Sequence, residues 1–299
     1  MQNTLIVITG PTASGKTRVA AGLAREWQTA VISADSRQMY REMSIGTAKP
    51  RPGEKSGVTH YFIDHLSIHD YYNASMFEHE ALELMQQLFR EKSVLVMAGG
   101  SGLYVNAVCY GIDDLPRVDQ ETRNHLVNIW KREGMEKLRE MLFERDPDYY
   151  RTVDLNNPKR VLKGLEISIM TGKPYSAFLT RKPKVRDFRI VLIGLTLPRK
   201  ELYEKINRRV DQMVADGLVE EARALYPFRH LNALNTVGYR ELFDHFSGKT
   251  GREEAIEKIK DHTRQYARKQ LTWFRKNPDI TWFHPDNREE IVKYLKKHL

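Results

Sequence analysis

The 299-residue chain contains one cysteine, Cys109, so it can form no internal disulfide and no zinc site built from paired cysteines. No apolar run approaches the roughly 20 residues that cross a bilayer. The N-terminal run Leu5 to Thr9 is too short for a signal peptide and follows no basic segment, so it reads as a buried strand. Internal repeats and low-complexity tracts are lacking too, which excludes a solenoid. Cytoplasm is the expected compartment, with no membrane partner; a monomer is expected.

Basic residues are scarce in the first half only. Residues 1–157 hold 18 Lys+Arg against 21 Asp+Glu, a net of −3, whereas residues 158–299 hold 30 against 18, a net of +12. One reading of that basic half is an anionic macromolecule as partner. The other is a solvated, lysine-rich surface.

What is present is an alternation of short apolar runs and helical patterns, the signature of a parallel sheet. Strands are expected at Leu5–Thr9, Ala30–Ala34, Val94–Ala98 and Ile190–Leu197. The first helix carries Val19, Leu23 and Trp27 on one face, and a second spans about Tyr72–Arg90. Between about Asp113 and Arg189 the pattern turns wholly helical (Glu121–Lys131, Met135–Phe143, Pro158–Met170) and ends in a basic stretch, Arg181 to Arg186. A long helix is expected over Arg252–Lys276. The fold class that follows is α/β: a P-loop NTPase-like parallel sheet flanked by helices, with a helical insertion domain. Residues 1–113 and 190–299 form the core, with a helical C-terminal part, and residues 114–189 form the insertion.

Gly10-Pro11-Thr12-Ala13-Ser14-Gly15-Lys16-Thr17 fits G-x-x-x-x-G-K-T between a strand and a helix, the context that marks a P-loop. Its backbone N–H groups and the helix N-terminus suit phosphate oxygens. Lys16 adds a charge, and the Thr17 hydroxyl suits Mg²⁺. The strand Val94–Ala98 ends not in the carboxylate usual in ATPases but in Gly99-Gly100-Ser101-Gly102. Asp35 instead sits at a strand tip, where ligands of such sheets bind; it reads also as a helix N-cap or an outer Mg²⁺ carboxylate. Ser101 reads either as a helix cap or as a hydroxyl facing a ligand. On the helix carrying Leu202, Ile206, Val210 and Met213, either Arg208 or Arg209 points off the buried stripe toward phosphate. Lys260, Arg264, Arg268 and Arg275 share one helical face suited to a nucleic-acid backbone, or to plain solvation.

These runs together resemble the tRNA dimethylallyltransferases, also called tRNA isopentenyltransferases, of the bacterial type without a zinc-finger extension. The resemblance rests on Gly10–Thr17, Ile32-Ser33-Ala34-Asp35-Ser36-Arg37-Gln38-Met39-Tyr40 and Ile45-Gly46-Thr47-Ala48-Lys49-Pro50. It continues through Gly99-Gly100-Ser101-Gly102-Leu103-Tyr104, Asn157-Pro158 with Arg160 and Leu165-Glu166, and Val237-Gly238-Tyr239-Arg240. It closes on Arg268-Lys269-Gln270-Leu271-Thr272-Trp273-Phe274-Arg275 and covers about residues 4–276.

The resemblance implies transfer of a dimethylallyl group from dimethylallyl diphosphate to N6 of adenosine 37, beside the tRNA anticodon, with Mg²⁺ as cofactor. It implies that the P-loop holds the leaving diphosphate, that Asp35 is the general base, and that Ser101 and Arg209 face the diphosphate. The tRNA anticodon stem-loop is then met by Asp35, Ser36, Arg37, Gln38, Ser101, Arg123, Lys159, Arg160, Lys163 and Arg240, and the basic helical face adds Arg264 and Arg268. Two positions depart from the family: threonine is usual where Ser101 stands, and arginine where Lys163 stands, which weakens any bidentate contact. A small-molecule kinase, a nucleotide prenyltransferase and a non-enzymatic nucleic-acid binder remain as competing readings.

Overall fold

The computed structural model describes residues 2–116, 119–180 and 182–299. Arg181, the first residue of the basic stretch, lies outside the described residues. The chain divides into two compact units, residues 1–110 with 185–299, and residues 111–184.

The first unit opens with β1 (Thr4–Thr9), α1 (Lys16–Glu26), β2 (Val31–Ser33), α2 (Pro52–Lys55), β3 (His60–Tyr61), α3 (Ala74–Leu88), β4 (Val94–Ala98) and α4 (Gly102–Tyr110). Strand β1 is buried at every position, as expected for a central parallel strand with both faces covered. Its alternate residues serve opposite faces: Leu5 and Val7 join one core cluster, Ile6 and Ile8 the other. Trp27, expected on the buried face of α1, instead ends that helix as its C-cap and packs half-buried against the second cluster.

The second unit is helical. It holds α5 (Gln120–Arg145), α6 (Pro147–Thr152) and α7 (Pro158–Thr171) around Leu126, Leu138, Leu142, Val161 and Leu165. The two expected helices Glu121–Lys131 and Met135–Phe143 form one element broken at Gly134, whose φ of 81° lies in the region where glycine has no Cβ to clash. Asp146 is buried here for a structural reason: it caps Tyr149 N at 2.9 Å and accepts from Ser176 N and Oγ at 2.6 and 2.7 Å.

The chain then completes the first unit with β5 (Arg189–Leu195), α8 (Arg199–Ala215), α9 (Leu218–Leu225), α10 (Tyr239–Phe246), α11 (Arg252–Phe274), β6 (Thr281–Phe283) and α12 (Arg288–His298). Among the described residues the sheet has six strands in the order β3-β2-β4-β1-β5-β6, all parallel. Strands β3 and β6, absent from the sequence reading, are two and three residues long, too short to show a period. The order brings the C-terminal tips of β2, β4 and β1 side by side. Ser33 pairs with Ala98 and Ile8 with Ala98, so Asp35, Gly99 and Gly10 leave the sheet at one edge. Ligands of open α/β sheets bind at such an edge.

Candidate active site

The P-loop leaves β1 at Gly10, where a side chain is impossible: a Cβ there would lie 2.5 Å from the Leu195 carbonyl. Gly15, in the left-handed region, opens α1, so the loop curls and the first helical N–H groups face its hollow. Lys16 folds back over the loop and donates to the carbonyls of Gly10 and Pro11 at 3.0 and 2.7 Å. Burial pushes its ammonium down to about 7, against the pull of Asp35 and with a further push from Arg209. Ser14 is buried, and its Oγ has no hydrogen-bond partner. An anion filling this loop would repay both groups.

Asp35 caps a turn and not a helix. Oδ1 caps the turn after β2, accepting from Arg37 N at 2.9 Å and Gln38 N at 3.3 Å. Oδ2 accepts no hydrogen bond from the described residues. Ser101, by contrast, does not spend its hydroxyl on α4. Its carbonyl accepts from Tyr104 and Val105, while Oγ accepts from Ser36 N at 2.9 Å and donates to Ser36 Oγ at 3.2 Å. The hydroxyl is thus turned toward the Asp35 turn.

The choice between Arg208 and Arg209 is settled by α8. Arg208 is exposed. Arg209 reaches the P-loop, donating from Nη1 to Thr12 Oγ1 at 3.2 Å and from Nη2 to the Ala48 carbonyl at 3.3 Å. Burial lowers the basicity of its guanidinium, which Asp35 and Glu54 partly restore. Such a group stays charged.

The Ile45–Pro50 run gains its shape from two residues whose role was not legible. Glu221 accepts from the backbone N–H groups of Ser44, Ile45 and Gly46 at 2.9, 2.8 and 2.9 Å, and from Tyr239 Oη at 2.7 Å. The Tyr239 ring fills the space where Gly46 would carry a side chain. The loop so held presents the Thr47 and Ala48 carbonyls to Gln38 Nε2, both at 3.2 Å. The Arg37 guanidinium donates to the Asn232 carbonyl at 3.1 Å.

The basic face of α11 differs from the expected stripe. Lys260 pairs with Asp211 at 2.8 Å and Glu257 at 2.9 Å, and Arg264 is bonded to Asn207 and Asp261, so these two cations are already neutralised. The face that remains open is Gln265, Arg268, Lys269, Thr272, Trp273 and Lys276, around a hollow of about 310 Å³. Arg240 is half-exposed, 3.7 Å from Glu241.

In the second unit, Lys159, Arg160 and Lys163 crowd the first turns of α7, which has no acidic residue there. Cations at the positive end of a helix dipole repel it, an arrangement that invites an anion. With Tyr149, Thr152 and Tyr175 they border a hollow of about 530 Å³. Arg123 lies 3.4 Å from buried Glu166, whose carboxyl burial pushes up despite Arg123 and Lys163.

Among the described residues no group of three His, Cys, Asp or Glu could hold a metal ion, and no helix is long and apolar enough to cross a membrane. The hydroxyl of Thr17, on the first turn of α1, is a hard oxygen ligand that fits Mg²⁺ when diphosphate oxygens supply the rest.

A family model described as IPP transferase matches residues 38–277. The chain is 52% identical over 293 residues to tRNA dimethylallyltransferase 1 of Bacteroides thetaiotaomicron, spanning 98% of this chain and 95% of that one. It is similar to the crystal structure of the full-length tRNA isopentenylpyrophosphate transferase of Bacillus halodurans, with 37% identity and a TM-score of 0.72 over 99% of this chain and 96% of that one. A eukaryotic dimethylallyltransferase captured acting on tRNA is similar with 25% identity and a TM-score of 0.78, over 95% of this chain and 74% of that one.

Proposed function

The chain belongs to the IPP transferase family, and we propose that it carries out the transfer of a dimethylallyl group from dimethylallyl diphosphate to N6 of adenosine 37 in tRNA, releasing diphosphate, with the residues gathered at the tips of β1, β2 and β4. The observation that carries this reading is the convergence there of a phosphate-binding loop, a carboxylate with one oxygen to spare and a hydroxyl.

The exocyclic amine of adenine is a poor nucleophile, because its lone pair is delocalised into the ring. As N6 attacks C1 of the dimethylallyl group, the C1–O bond breaks and its electron pair leaves with diphosphate. Asp35 Oδ2 takes the N6 proton, a role worth about 10²–10⁴ in rate. Lys16, Arg209 and the P-loop N–H groups stabilise the charge that builds on the leaving group. The Ser101 hydroxyl faces the bridging oxygen. Thr17 would hold Mg²⁺, which when bound supplies further neutralisation of the diphosphate.

The acceptor is the anticodon stem-loop. Ser36, Arg37 and Gln38 face the target nucleotide, and the base leaves its stack to reach the allyl carbon. Lys159, Arg160, Lys163 and Arg123 take backbone phosphates on the second unit, as do Arg240 and Arg268 on the first. Transfer of labelled dimethylallyl to an anticodon stem-loop, compared with AMP, tests the assignment. The stem-loop should win by orders of magnitude in kcat/KM; equal use of AMP would leave a nucleotide prenyltransferase.

A further inference from the structure

Gln270 is a buried amide 6% exposed, on the inner face of α11. Its Oε1 accepts from Thr12 N at 2.8 Å, and its Nε2 donates to the Gly100 carbonyl at 2.8 Å. Each end therefore meets a group that tolerates only one orientation of the amide, so a flipped amide would fail at both. Thr12 is the P-loop residue whose hydroxyl accepts from Arg209. Gly100 directly precedes Ser101. One side chain therefore spans the gap between the diphosphate loop and the hydroxyl turn.

Gly100 is small for this purpose: a Cβ there would lie 2.3 Å from Gln270 Nε2. Tyr266 stands one helical turn before Gln270, on the same face of α11. Its hydroxyl lies beside the side chains of Ser101 and Gln270 and feels the charge of Asp35. Burial pushes this phenol up to about 12, so it stays protonated, although the residue as a whole is 42% exposed.

We infer that Gln270 and Tyr266 are a positioning pair for the transfer: Gln270 sets the register of the P-loop against the Gly99–Ser101 turn, and Tyr266 fixes the rotamer of the Ser101 hydroxyl. The second role answers a physical need. A serine hydroxyl has three staggered χ1 wells and no methyl to choose among them. Ser36 and Tyr266 together select one.

The proposal rests on the reading that Ser101 faces the leaving group, and its test separates the two. Single-turnover rates at saturating tRNA and dimethylallyl diphosphate, pyrophosphate affinity and thermal midpoints are measured for Gln270→Met, Tyr266→Phe, Ser101→Ala and Tyr266→Phe/Ser101→Ala. Misplacement of reacting groups should cost Gln270→Met about tenfold or more in rate, with weakened pyrophosphate binding. Tyr266→Phe should lose about threefold with an unchanged thermal midpoint, and nothing in the Ser101→Ala background, because its effect runs through that hydroxyl. Wild-type rates in Gln270→Met and Tyr266→Phe would overturn the proposal, as would a Tyr266→Phe loss that persists undiminished without Ser101. Should Gln270→Met fold poorly, the Tyr266→Phe cycle decides. A wild-type rate in Ser101→Ala contradicts the reading of Ser101 itself; pyrophosphate affinity of Gln270→Met then decides whether the tie to Thr12 stands.

Discussion

Gln38 and Arg209 donate to the same oxygen, the carbonyl of Ala48, at 3.2 and 3.3 Å. A residue of the turn capped by Asp35 and a residue of the phosphate side are thereby coupled through one backbone atom. Arg209 can serve both Ala48 and Thr12 only because its guanidinium is a rigid fork. Arg209→Lys should therefore weaken pyrophosphate binding nearly as much as Arg209→Ala, whereas Arg208→Ala should leave it unchanged. Calorimetric titration with pyrophosphate checks this, and rescue by lysine would reduce the role of Arg209 to charge alone.

Asp35→Asn keeps an oxygen for the Arg37 and Gln38 N–H groups and removes the base. Turnover should fall by about 10² or more while the thermal midpoint and the affinities for both substrates stay near wild type. Near-normal turnover would move the base elsewhere.

Lys16 gives a pH dependence with a definite sign. In the free enzyme its ammonium titrates at about 7, and a bound diphosphate raises that value by adding negative charge. Binding therefore takes up a proton above pH 7, and affinity falls as pH rises from 7 toward the bound-state value. Calorimetry of pyrophosphate binding at pH 8 in buffers of different ionisation enthalpy should show proton uptake greater than in Lys16→Met. Equal uptake in the two proteins would contradict it.

The two basic surfaces should respond differently to alanine. Arg268→Ala should lower the salt slope of stem-loop binding by about 1, and Lys159, Arg160 and Lys163 together by about 2–3, at roughly 0.7–0.9 per phosphate released. Arg264→Ala should instead lower the thermal midpoint and leave the slope alone, since that guanidinium is engaged by Asn207 and Asp261.

The P-loop, Asp35 and Ser101 were legible because each is local: a strand, its tip and the next turn lie within a few residues. Fold class followed from the same alternation. Orientation was not legible, since Arg208 and Arg209 are neighbours on a helix and only packing of α8 decides between them. The stripe Lys260–Arg264–Arg268–Arg275 was correct as spacing but blind to Asp211 and Asn207, which arrive from another helix. Gln270 carried no visible role because its partners lie 258 and 170 positions away. Glu221 was silent for the same reason, its three backbone partners being 175 to 177 positions distant.

Prenyl transfer to a tRNA adenosine by this site can be read from mass spectrometry of nucleosides from tRNA incubated with enzyme, dimethylallyl diphosphate and Mg²⁺. N6-dimethylallyladenosine should appear at position 37 with the wild type and be nearly abolished with Asp35→Asn. Unmodified tRNA, or phosphate transferred from ATP to an acceptor in its place, would contradict it.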